Sequence, residues 1–301
     1  WHHICHHRRP CNPTRLPDPP TDPTRRPNLH PDPITTIPPT EKRNPTAMSS
    51  TDEAATNAPD PDQPWTLIIG GDRPAGGAGT YDVINPATEA VVGRAPEATT
   101  DQAADAAAAA AEAFESWSRT TPELRYELLN RAAELIDSHA AELVPLVQAE
   151  TGATMRVTKS MQVPQAAARF RRYAEGAKES PVTPLRPQSV PSTALAPGGV
   201  ISAIANRAPV GVVTAISSYN FPVVNMAGKV APALAMGNTV IMKPAPQDPL
   251  GVIRMAELLV EAGFPPGVVN CVVSEDVAPS EVLTTHDAVD MVSFTGSTAV
   301  G

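Results

Sequence analysis

Between Pro209 and Lys243 the chain carries two continuous apolar runs, Val-Gly-Val-Val-Thr-Ala-Ile at 210–216 and Thr-Val-Ile-Met at 239–242, with a helix-length segment between them. A strand with no polar alternation is buried on both faces. Such strands belong to parallel sheets whose crossovers are helices. Polar groups gather at one end only of each run: Ser217-Ser218-Tyr219-Asn220 follow the first, and Lys243 ends the second. In an open α/β sheet that carboxyl edge is where ligands bind. Two more runs, Val268–Val273 and Met291–Phe294, repeat the pattern, with helices predicted at about 222–235, 249–262 and 277–285 and another opening at Thr298. The expected fold is α/β: a Rossmann-like parallel sheet with helices on both faces.

Upstream, order is expected from Trp65. Trp65–Ile69 reads as a short strand, 70–79 as a turn-rich loop, and Tyr81–Ile84 and Val91–Ala95 as strands flanking the turn signal Asn85-Pro86. Thr100-Asp101 can cap an Ala-rich helix running to about Ser118, with Phe114 and Trp117 on one face. A second helix begins at Thr121-Pro122, with Pro in its first turn. Its apolar face is Leu124, Leu128, Leu129, Ala132, Leu135 and Ile136. Helical segments follow at 140–151 and 157–178. The Pro- and Gly-rich stretch 181–209 reads as an extended oligomerisation ribbon that pairs at an edge between subunits. Residues 1–64 form a Pro-containing leader. Within it, 1–47 are crowded with Pro, Arg, His and Thr and lack an apolar period, the composition of an extended or disordered tail. Met48 is the expected native start, with 1–47 upstream sequence read through or a cloning remnant.

The net charge is -9, divided as +3 before Met48 and -12 after it. An acidic body argues against nucleic acid as the main partner, since that binding rests on neutralising phosphates. No apolar run approaches the roughly 20 residues of a membrane span. Cys5, Cys11 and Cys271 are an odd count without regular spacing, which gives no disulfide framework and suits a reducing, cytoplasmic setting. His2, His3, His6 and His7 with Cys5 lack partner ligands at structured spacing, so no metal is expected. Cys271, inside an apolar strand, is expected to be inert. His139 and His286 have no Ser or Cys partner in a recognisable motif and read as surface residues.

Several segments together carry a family resemblance: Tyr-Asp-Val-Ile-Asn-Pro at 81–86, Tyr-Asn-Phe-Pro at 219–222, Lys229–Pro244, Ala262–Val269 and Phe-Thr-Gly-Ser-Thr-Ala-Val-Gly at 294–301. From about Trp65 onward the chain resembles the amino-terminal part of an NAD(P)-dependent aldehyde dehydrogenase. The resemblance implies that 65–301 is a dinucleotide-binding domain truncated at 301. The catalytic domain, with its Cys and Glu, would follow. It implies an enzyme that oxidises a small aldehyde to a carboxylic acid with NAD or NADP through a Cys thiohemiacetal and a thioester, as a homodimer or homotetramer when full length. This chain alone would be inactive. Two alternatives stay open: a non-catalytic dinucleotide-binding or structural module, and a related acyl-phosphate or CoA-linked reductase.

Asn220 is either an oxyanion-hole donor, as the resemblance implies, or a turn Asn bonding its own backbone. Lys243 is implied to contact the adenine ribose. The family usually has a glutamate three residues on that grips the ribose diol; here that residue is Pro246. Its loss keeps NADP open. Ser274-Glu275-Asp276, where relatives often place glycines, pulls the other way and leaves NAD ahead. The resemblance places the pyrophosphate near Ser297, the nicotinamide near Thr295 and Gly296, and the backbone of Ile216, Ser217, Ser218 and Tyr219 against the cofactor. The usual Gly-x-Gly-x-x-Gly fingerprint is absent after the first strand, so the site would be a variant one. Lys229 is either part of a proton relay or a helix lysine with a buried stem.

Overall fold

A computed structural model describes residues 59–300 of the 301, so the expectations for the first 58 residues lie outside it. Residues 59–64 are placed. Gln63 N–H donates to the Asp60 carbonyl at 3.2 Å, and Pro64 makes an isolated bridge to Arg94.

Four parallel strands form the centre: β7 (Val212–Ile216), β8 (Thr239–Lys243), β9 (Val269–Cys271) and β10 (Met291–Phe294), in the order β10-β7-β8-β9. The chain steps outward from β7 through α5 (Pro222–Ala235) to β8, then through α6 (Leu250–Glu261) to β9. It returns through α7 (Val277–Thr285) to β10, on the other side of β7. Right-handed crossovers put α5 and α6 on one face of the sheet and α7 on the other. Buried hydroxyls mark the α7 face. Thr214 Oγ1 donates to the Leu283 carbonyl of α7 at 2.8 Å, and Thr239 Oγ1 to the Ala110 carbonyl at 2.9 Å. Ala110 lies on the Ala-rich helix α1 (Thr100–Trp117), which therefore covers this face beside α7. Side chains alternate along a strand, so Ile241, Lys243 and Ile216 project to this face as well. The register pairs Ile216 with Lys243.

On the opposite face α5 and α6 pack beneath α2 (Pro122–Ser138), α3 (Ala140–Thr151) and α4 (Val163–Ala177). A π-helical turn, Thr158–Gln162, leads into α4. The antiparallel ribbon β1 (Gly79–Ile84) and β2 (Val91–Glu97) lies upstream of these helices in the chain. The core is continuous and aliphatic, with Trp117 stacked at a tilt on Phe264, ring centres 5.5 Å apart.

Residues 182–206 form two short antiparallel pairs. β3 (Val182–Pro184) pairs with β6 (Ile204–Asn206), and β4 (Gln188–Val190) with β5 (Gly199–Ile201). Every residue of these strands is exposed, with Leu195 between β4 and β5 at 99%.

Three local expectations change. Trp65–Ile69 is no strand of a sheet. It touches the sheet through one antiparallel bridge, Ile68 to Cys271, and Gly70 and Gly71, at φ +63° and +96°, then turn it back on itself. The cap of α1 is Thr99, one residue earlier than expected. Its hydroxyl accepts from Gln102 N–H while Gln102 Oε1 accepts from Thr99 N–H, a reciprocal capping box. At Thr298 the described residues show a turn closed by Val300 N–H to the Ser297 carbonyl at 3.2 Å, not a helix.

Candidate cofactor and active site

The chain leaves β7 toward one face and comes back to β10 from the other. That reversal opens a crevice at the carboxyl ends of neighbouring strands. The ladder continues past the strands. Ser217 N–H donates to the Lys243 carbonyl at 3.3 Å, and Thr295 N–H to the Ile216 carbonyl at 3.0 Å. Ile216, Ser217, Lys243 and Thr295 therefore share one rim, with Ser218, Tyr219 and Asn220 continuing from β7 and Gly296 and Ser297 from β10. At Gly296 a Cβ would meet the Phe294 ring, which would have to move aside.

Ser218 holds the Asn220 loop. Its hydroxyl donates to Asn220 Oδ1 at 2.8 Å and accepts from Asn225 Nδ2, on α5, at 3.2 Å. The Asn220 oxygen is thus engaged. Its Nδ2 hydrogens have no partner among the described residues, on a side chain exposed at the wall of a cavity of about 880 Å³. Tyr219, Phe221, Gln247, Asp248 and Glu150 line the same cavity. Ser217 is buried, and its hydroxyl has no partner among the described residues. Lys229, half-buried on α5, donates from Nζ to Ser293 Oγ of β10 at 3.2 Å, and burial lowers its pKa.

Lys243 does not stand in solvent. It is buried, and its Nζ donates to the Ser274 carbonyl at 3.0 Å. Burial lowers its pKa to about 8, against the opposing pull of the Glu97 carboxylate. Glu97 in turn accepts from Ser274 Oγ at 2.6 Å, Glu275 N–H at 2.8 Å and Asp276 N–H at 3.2 Å.

An aldehyde dehydrogenase family model matches residues 74–301. The chain belongs to the aldehyde dehydrogenase family. It is 38% identical to phenylacetaldehyde dehydrogenase of Pseudomonas fluorescens over 79% of this chain and 47% of that protein. It is 36% identical to the mitochondrial aldehyde dehydrogenase of Leishmania tarentolae over 78% of this chain and 45% of that one. Among solved structures, it resembles betaine aldehyde dehydrogenase of Staphylococcus aureus in complex with NAD+, with a TM-score of 0.72 at 32% identity over 79% of this chain and 46% of that one. The chain thus spans under half the length of the relatives it matches.

Within this aldehyde dehydrogenase fold Cys271 is sealed in β9, and burial raises its thiol pKa far above the ordinary value, which removes it as a nucleophile. No group of three or more metal-ligating side chains occurs among the described residues, and no helix there is long and apolar enough to cross a membrane. The rim suits a dinucleotide: a buried ammonium, an unanswered buried hydroxyl at Ser217 and a tight glycine turn converge on it. At the Lys243 end Glu97 already occupies the N–H groups of 275 and 276 and brings a negative charge.

Sequence reasoning missed two sets of residues here. Glu97 ends β2, far along the chain from the loop it holds, and nothing nearby in the sequence points to that loop. Glu150 and Asp248 form a buried acid corner on the cavity wall. Glu150 accepts the first N–H groups of α6, Leu250 at 2.8 Å and Gly251 at 2.9 Å, and burial raises its pKa to about 8 despite them. Asp248 is buried with Oδ1 unpartnered among the described residues. Burial first, and the Glu150 charge second, raise its pKa to about 10. An acid just ahead of a helix in Gln-Asp-Pro-Leu looks like an ordinary cap, which hid it.

Proposed function

We propose that residues 65–301 are the dinucleotide-binding domain of an enzyme that oxidises a small aldehyde to a carboxylic acid with NAD(P)+. The observation that carries this reading is the Ser218 clamp: it engages the oxygen of Asn220 and leaves the amide hydrogens of that side chain at the crevice. An amide held that way donates to an aldehyde oxygen as it becomes negative under nucleophilic attack, without reorganising at that moment. The nucleophile is a thiolate from sequence outside 1–301, forming a thiohemiacetal and then a thioester. Bound in the crevice, the oxidised nicotinamide supplies the hydride acceptor. Ile216, Ser217, Ser218 and Tyr219 border it from β7, and Thr295, Gly296 and Ser297 from β10. Lys243 holds the ribose end. Lys229, its pKa lowered by burial and its Nζ on Ser293, passes a proton near Asn220.

NAD is favoured over NADP because Glu97, Glu275 and Asp276 put negative charge beside Lys243. The exposed ribbon 181–209 pairs between subunits of a homodimer or homotetramer, and the enzyme works in the cytoplasm. Calorimetry on the full-length protein tests the cofactor site. Lys243→Ala is expected to weaken NAD binding by about tenfold or more, the scale of one charge-assisted hydrogen bond. Equal affinity in both proteins would overturn the assignment of Lys243.

A further inference from the structure

Arg169 is one of several arginines without an ion pair among the described residues, and it reaches the helix that follows the Asn220 loop. Arg73, Arg94, Arg171 and Arg254 each pair with an Asp or Glu. Arg169, on α4, has no carboxylate within ion-pair distance among the described residues. Its Nη1 donates to the Val224 carbonyl of α5 at 2.8 Å, and its remaining donors have no partner among those residues. The guanidinium lies across α5 at Gly228, where any Cβ would collide with Nη1. Gly228 is thus the position that admits it.

The location ties Arg169 to the reaction centre. Asn220 lies two residues before α5, and Val224 and Gly228 share one face of that helix, four residues apart. At about 1.5 Å per residue, Gly228 lies about 9 Å along the axis from Pro222. Val157, just before the π-helical turn that leads into α4, lines the cavity that Asn220 lines. Exposed Gln165 lies one turn before half-buried Arg169 on α4. Arg169 thus reaches the face of α5 whose amino-terminal end carries the Asn220 donor.

We propose that Arg169 makes the site selective for aldehydes that carry a carboxylate at their far end. A guanidinium presents a planar fork that a carboxylate meets with two parallel hydrogen bonds. A neutral aldehyde would leave the charge unanswered. This rests on the aldehyde-oxidising reading of the site, and the test separates the two. Steady-state kinetics of the full-length protein with NAD compare succinate semialdehyde with butanal and adipate semialdehyde with hexanal. Turnover of any of the four supports the aldehyde-oxidising reading by itself. The proposal expects kcat/KM at least tenfold higher for the acid of a pair. In Arg169→Met that ratio falls by 10- to 100-fold through KM of the acid, while kcat/KM for the neutral aldehyde changes by less than threefold. Gly228→Ala, which pushes the guanidinium aside while keeping its charge, lowers the ratio in the same direction. Equal handling of acid and neutral aldehydes by the parent protein overturns the proposal. So does an Arg169→Met variant that loses both substrates in parallel, which would mark the arginine as a helix-packing element.

Discussion

The two sides of the rim handle polar groups in opposite ways. Toward α7, the Lys243 corner is closed: ammonium to Ser274 carbonyl, Ser274 hydroxyl and two loop N–H groups to Glu97. Toward α5 and α6, the Asn220 corner is open. Asn220 shows its amide to a cavity, and Asp248 is buried with an oxygen unanswered among the described residues. A closed corner is built to hold one thing in one place, whereas an open one has donors to spare for a group whose charge changes during a reaction. A buried polar atom without a partner is costly, and Asp248 and Ser217 each carry one among the described residues.

The contrast breaks most readily at Asn220. Asn220→Ala is expected to lower kcat of the full-length enzyme by about 10²–10³, as loss of one oxyanion donor does, with NAD affinity by calorimetry within threefold of the parent. If NAD affinity falls with kcat, the two corners are one binding surface and the division fails. Asp248→Asn probes the acid corner through pH. An acid whose pKa is raised on folding stabilises fully below its unfolded value and loses that contribution as pH rises through the folded value. For Asp248 the window runs from 3.8 to about 10. Across it each retained proton gives a slope of about 1.4 kcal/mol per pH unit. Chemical denaturation at several pH values should show stability falling with pH in the parent and a shallower fall in Asp248→Asn. An unchanged slope means that Asp248 titrates alike in both states. The smallest effect is expected at Glu97. Glu97→Gln removes the charge and sets an amide nitrogen against one loop N–H, so the ratio of NADP to NAD affinity should rise several-fold, with a small fall in thermal stability. A ratio that stays put would show that the 2′-phosphate position lies away from this loop.

How much of this was visible in the sequence follows from the range of each interaction. The runs at Val212–Ile216 and Thr239–Lys243 declared themselves because burial on both faces leaves no room for polar alternation. Trp65–Ile69 has the same composition but makes only isolated bridges, Ile68 to Cys271 and Ile69 to Asp72, since what decides a strand is a partner, and the turn at Gly70-Gly71 withdraws it. Thr99 was readable and passed over: its Thr-x-x-Gln spacing to Gln102 is a local signal. The rim residues Asn220 and Lys243 stood out as polar ends of apolar runs. Glu97 and Asp248 did not, because their partners come from elsewhere in the chain, and Arg169 matters only through a helix distant in sequence that happens to lack a side chain at Gly228.

The seal around Cys271 has a practical consequence. Its sulfur is buried, and both its backbone groups are bonded to Ile68, N–H to carbonyl at 2.8 Å and carbonyl to N–H at 3.0 Å. A thiol reagent reaches this atom only when the packing around β9 opens. Alkylation at this one position therefore reports on opening of the core around β9.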